Sequence, residues 1–93
     1  MRHTTIEILS TPACARCVAT KVELTQAGIA FTEVKPGADP VGAADIVARY
    51  VAVTGEARTT APLVLVSDET GEVIDAWAGR VDGMVNRVMS KLQ

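Results

Sequence analysis

Aromatic residues make up only 3% of the 93-residue chain, one Phe, one Trp and one Tyr. A core must therefore be aliphatic, and no aromatic platform for stacked bases is present. Positive charge is not in excess either: nine Lys and Arg against eleven Asp and Glu leave a formal net charge of −2, so no nucleic-acid partner is expected. Long apolar runs are also missing. Leu63-Val64-Leu65-Val66 is far too short to span a bilayer, and the opening "MRHTTIEILS" has no apolar stretch of secretory-leader length. The expectation is one domain over residues 1–93, cytoplasmic and monomeric, without a membrane partner. Histidine occurs once, as His3, and cysteine twice, as Cys14 and Cys17. Those three residues fall short of the four ligands of a structural zinc site, so no metal site is expected.

What is present reads as alternating strands and helices. Ile6 and Ile8 flank Glu7 in "TIEILS", a strand broken at Thr11-Pro12. From Cys14 to Ala27 there is neither Pro nor Gly, and Gly28 is a natural stop; Val18 and Val22 share one face of this helix, with Leu24 near Cys17 on the adjoining one. "IAFTEVK" (29–35) reads as a short strand. Asp39-Pro40 supplies an N-cap and an N1 proline for a second helix reaching about Val53. "LVLV" (63–66) is apolar on both faces, as a central strand should be, and "VIDAW" (73–77) completes a hairpin. Val81, Met84, Val85, Val88, Met89 and Leu92 predict a last amphipathic helix, with both methionines in the core. The order is β-α-β-α-β-β-α. A crossover makes the first two strands parallel and the hairpin adds an antiparallel pair, giving a four-stranded mixed α/β sheet flanked by three helices.

The cysteines stand where the first strand hands over to the first helix, in "TPACARCVATK" (11–21). As a staple the pair would be weak, since a four-residue loop is worth roughly 2 kcal/mol in the loop-entropy model. As a reagent it is well placed. A helix N-terminus favours a thiolate, and lowering a thiol pKa from about 8.5 to about 7 raises the thiolate fraction at pH 7 roughly 16-fold. Reduced nucleophilicity takes back about 5-fold, leaving a gain of about 3-fold. Cys14 is then the attacking thiol and Cys17, one turn on, the less exposed resolving thiol. Arg16 lies inside the loop and Lys21 one turn beyond it, each either solvated or adding positive charge near the thiols. Pro62 immediately precedes the buried strand, where a proline without an N–H donor belongs.

A strand, a C-x-x-C at a helix start and a T-x-P before a central strand resemble a thioredoxin-fold redoxin of glutaredoxin size. Within that group "CARCVATK" is similar to the active site of the NrdH-redoxins, electron donors of ribonucleotide reductase, and "WAGRVDGMVNRV" (77–88) resembles their tail. The resemblance implies a dithiol–disulfide oxidoreductase reduced by thioredoxin reductase and supplying ribonucleotide reductase, with no tightly bound cofactor. It implies a cis Pro62 facing the disulfide and an Ala61 backbone that hydrogen-bonds substrate. It implies a substrate surface of Pro12, Ala15, Arg16, Thr60, Ala61, Pro62, Gly79, Arg80 and Asp82 around Cys14 and Cys17. Two positions depart from the tail pattern: Arg80 stands for an aromatic and Val81 for a proline.

A glutathione-dependent glutaredoxin is the competing reading. That family tends to carry an aromatic inside the C-x-x-C and a cation before it, and neither is present here; Arg58 or Arg80 would have to hold the glutathione carboxylates. Readings of another class are a [2Fe–2S] cluster bridging two protomers through Cys14 and glutathione, or a redox-inert interaction module. Trp77 either closes the hairpin against the last helix or serves as a contact surface beside the active site.

Overall fold

A computed structural model of the chain describes residues 4–57 and 60–92, so His3 and Arg58 lie outside the described residues. Side chains alternate across β3 (Leu63–Ser67), and this alternation sets the layers. Leu63 and Leu65 join Leu9, Ala43, Ile46 and Tyr50 beneath α2 (Pro40–Thr54). Val64 and Val66 point the other way, into a cluster with Ile6, Ile8, Leu24, Trp77, Met84 and Val88 beneath α1 (Ala15–Gln26) and α3 (Met84–Lys91). All five β3 residues are buried, so no position on that strand needs to be polar on its outer face.

The sheet order is β2-β1-β3-β4, with β1 spanning Thr5–Leu9, β2 Thr32–Val34 and β4 Val73–Ala78. β1 pairs in parallel with β2 and antiparallel with β3, and β3 pairs antiparallel with β4. The element order, the mixed four-stranded sheet and the three flanking helices are those expected from the sequence. Across the α2 face, Arg49 donates twice to the Glu7 carboxylate, both bonds at 2.8 Å, tying the helix to β1. Asp39 caps α2 by accepting the Gly42 N–H at 2.9 Å, and Gly55 ends the helix in the left-handed region. No helix among the described residues is long and apolar enough to cross a membrane.

Two details correct the sequence-based expectation. The sheet-facing side of α1 is Cys17, Thr20 and Leu24, spaced i, i+3 and i+7, whereas Val18 and Val22 are 56% and 46% exposed. Thr20 can take a core position because its hydroxyl donates to the Arg16 carbonyl oxygen at 2.8 Å and so arrives already satisfied. The last helix begins at Met84 rather than Val81, because Gly83 sits at φ +75°, outside the right-handed helix. Its buried face is then centred on Met84 and Val88, and Met89, five residues or about 140° around from Met84, is 44% exposed rather than core.

Candidate active site

β1 ends at Leu9, and the chain must turn sharply to start α1. Ala13 makes that turn at φ +54°, a left-handed conformation uncommon for a residue with a Cβ. Cys14 follows as the N-cap with extended backbone, φ −107° and ψ 103°, and its Sγ accepts the Cys17 N–H at 3.1 Å. The sulfur thus stands where a Ser or Asp oxygen caps most helices. Cys14 and Cys17 form a disulfide, with their Cα atoms 5.2 Å apart. Cys14 is partly exposed and Cys17 is 1% exposed, so a partner meets the first sulfur and not the second.

The turn before β3 closes over the disulfide from one side. The Ala61–Pro62 peptide bond is cis, Pro62 is buried, and the Ala61 carbonyl oxygen lies 3.9 Å from Cys14 Sγ. A disulfide sulfur carries no hydrogen, so that contact becomes a hydrogen bond only when the reduced thiol donates. The Gly79 N–H bridges the Thr60 and Pro62 carbonyls at 3.2 and 2.8 Å, fastening the end of β4 to this turn. Pro12, Ala15, Arg16 and Ala61 line a shallow depression with Cys14. Gly79, Arg80 and Asp82 line neither this depression nor the groove described below. Arg80 is spoken for: it donates to Glu23 at 2.6 Å and to Asp82 at 3.3 Å.

On the other side of Cys14 lies a groove of about 690 Å³, walled by the cysteine loop, the first turns of α1 and the turn after β2. Its polar wall is a three-residue cluster. Glu33 accepts the Lys21 ammonium at 2.6 Å and the Ser10 hydroxyl at 2.5 Å, and Ser10 itself is 2% exposed. The Lys21 hydrogen bond, then that of Ser10, holds the Glu33 carboxyl below its ordinary range. Lys21 is thus paired with Glu33 on the groove wall. Among the described residues no group of three or more His, Cys, Asp or Glu is placed to hold a metal ion.

No family model and no curated protein matches the chain. Among solved structures it is similar to the thioredoxin-like protein BC3987, at 24% identity over 90% of this chain and 99% of that one, TM-score 0.56. A single-residue mutant of the same protein matches at 24% identity over 96% and 100% of the two chains, TM-score 0.54. The glutaredoxin of Archaeoglobus fulgidus matches at 12% identity over 92% of this chain and 86% of that one, TM-score 0.63. The chain has the thioredoxin fold. Within the thioredoxin fold of this chain, the disulfide sits at the C-terminal end of β1, between the β2–α2 turn and the turn that opens β3.

Sequence reasoning missed three residues of this site. Ala13 gives no compositional sign of its left-handed turn, because Gly or Asn is the usual marker. Ser10 and Glu33 meet only through the parallel register that sets Ile8 beside Glu33 and Leu9 beside Val34. Glu33 between Thr32 and Val34, in a strand two residues from Lys35, was the available signal.

Proposed function

We propose that this chain is a dithiol–disulfide oxidoreductase that reduces disulfides in other proteins. The observation that carries this reading is Cys14 at the N-cap of α1, with its Sγ accepting the Cys17 N–H and partly open to a partner. In the reduced protein the same N–H and the helix N-terminus favour a Cys14 thiolate, and no acidic residue in the first turn of α1 opposes it. The thiolate attacks one sulfur of the target disulfide; a Cys14–target bond forms, the target bond breaks, and the departing thiolate takes up a proton. Cys17, losing its own proton, then attacks Cys14 Sγ, closing the intramolecular disulfide and releasing the second target thiol. Two electrons and two protons pass to the target, and the pair ends oxidised.

The finer reading is an NrdH-like redoxin, acting as a cytoplasmic monomer, reduced by thioredoxin reductase and supplying ribonucleotide reductase. It is supported by "CARCVATK" and by the state of Arg80, whose guanidinium already serves Glu23 and Asp82 and so is a poor carboxylate holder for glutathione. A glutathione-dependent reading is favoured by the likeness to a glutaredoxin structure at TM-score 0.63. NADPH oxidation with a protein disulfide as acceptor separates the two. Turnover with thioredoxin reductase alone is the expected result. Turnover only with glutathione and glutathione reductase would make the chain a glutaredoxin, and turnover with neither would leave the cluster-bridging or inert-module readings.

A further inference from the structure

The groove beside Cys14 is mainly apolar, and it does not stop at the cysteine loop. Val18 and Lys21 line both it and a second depression that continues along α1 to Val22, Thr25 and Gln26. Val18 and Val22, at 56% and 46% exposure, are uncovered by the rest of the described chain. From Cys14 to Val22 the helix rises about 12 Å, which about four residues of extended chain would cover.

The net charge around this strip is positive. Lys21 and Lys35 line the groove against Glu33, and Arg16 stands on the other side of Cys14. Three cations against one carboxylate give +2 there, so the rest of a chain with net charge −2 carries −4. Glu33 is neutralised by Lys21, while Lys35 and Arg16 have no carboxylate within 4 Å among the described residues. The nearby carboxylate in sequence, Asp39, is turned onto the N-terminus of α2, accepting the Gly42 N–H. A small anionic disulfide would match the cations and leave Val18 and Val22 bare. A second copy meeting this strip with its own would pair the valines but set Arg16 and Lys35 against the same cations of its partner.

We propose that this groove docks the flank of a disulfide-bearing protein segment in which an apolar side chain and a carboxylate follow the reactive cysteine. The proposal rests on the disulfide-reductase reading and adds the chemistry of the substrate. The segment crosses Cys14 from the Ala61 side, lays its apolar residue on Val18 and sets its carboxylate toward Lys35. Attraction of unlike charges speeds encounter and weakens with salt, whereas the apolar contact does not.

The test uses the full-length protein, pre-reduced, in single turnovers against three short peptides whose one cysteine is held as a mixed disulfide with 2-mercaptoethanol. The residues after that cysteine are Leu-Asp, Leu-Lys or Ser-Asp, and 2-hydroxyethyl disulfide is the uncharged reference. The Leu-Asp peptide is expected to react about tenfold faster than Leu-Lys at low salt and faster than Ser-Asp at any salt. At about 0.5 M salt, where screening acts over about 4 Å, the first ratio should collapse. Lys35→Glu should reverse the charge order by raising the Leu-Lys rate, a gain that a misfolded variant could not give. Equal rates for all three peptides, with the reference disulfide still reduced, would overturn the groove proposal and leave the reductase reading standing. So would an acidic preference that survives Lys35→Glu, or sedimentation showing a stable dimer that Val18→Asp dissociates. If neither the peptides nor the reference is reduced, the reductase reading fails and the docking proposal fails with it.

Discussion

The asymmetry of the two sulfurs is a matter of one helical turn. Cys14 caps α1 and is open; Cys17 lies three residues on, facing the sheet and 1% exposed. Cys14→Ser should therefore reduce disulfide reduction to background, while Cys17→Ser should still attack once and stop as a mixed disulfide with the target, a species that intact-mass spectrometry reads directly. Full multiple-turnover activity in Cys17→Ser would contradict the assigned roles. Thr20 offers a second residue-scale outcome. Its hydroxyl bonds only within its own helix, to the Arg16 carbonyl, so Thr20→Val removes a satisfied polar group and keeps the shape. We expect a change in urea-unfolding free energy of less than about 1 kcal/mol, of either sign. The same residue explains a misreading: a threonine in the core row and valines at Val18 and Val22 outside it invert the apolar face that the sequence suggests.

At the level of elements, legibility followed the kind of signal. The strands were readable because alternation or continuous apolarity is dictated by the pleat, as in Ile6 and Ile8 on β1 and the buried run of β3. The caps were readable where the residue type marks them: a carboxylate that accepts the Gly42 N–H at Asp39, and at Gly55 a residue without a Cβ that turns left-handed and donates its N–H to the Val51 carbonyl oxygen. The start of α3 was not, because Gly83 is compatible with either a poor helix interior or a left-handed entry, and only packing chooses. The C-x-x-C of the site could be read directly. The groove could not, since it arises from a turn after β2 and a helix flank brought together by a parallel pairing. Trp77 turns out to close β4 against α3: it is 5% exposed, with the Arg87 guanidinium 4.5 Å from the ring centroid. Arg87 also grips Asp75 with two hydrogen bonds, at 2.6 and 2.5 Å, and this holds the Asp75 carboxyl below its ordinary value of 3.8. A carboxylate with a lowered folded-state pKa contributes stability that is fully present above its unfolded value and is lost as pH falls through the folded one. Asp75→Asn should therefore destabilise the protein at neutral pH and flatten the decline below about pH 4, as followed by Trp77 fluorescence in urea titrations at several pH values. An unchanged acid limb would mean that other carboxylates, Glu33 among them, carry it.

The whole molecule is a thin sandwich, two mainly aliphatic clusters, each with one buried aromatic, separated by one sheet and sharing β3 between them. A 93-residue chain of this kind has a small margin, of the order of 5–15 kcal/mol. Leu65 is fully buried on the α2 side, so Leu65→Ala should cost about 2–5 kcal/mol in urea-unfolding free energy. The loss should appear as a lower midpoint with an unchanged slope. A much smaller loss would mean that α2 settles into the space left behind.

The sheet order also leaves two outer strands, and they are unlike. β2 offers three residues to a passing chain, with Glu33 at its centre, whereas β4 offers six. In a concentrated solution β4 is thus the longer template for another strand, the kind of surface from which fibrils grow. The register shift between Val66 and Ser67 and the charged pair Asp75–Arg87 both lie along it. An incoming strand would meet a bent ladder and ions that must first shed water. The contact that anchors the final helix therefore also serves as a gatekeeper, so Asp75→Asn samples should cloud on storage sooner than their loss of folding stability alone would account for.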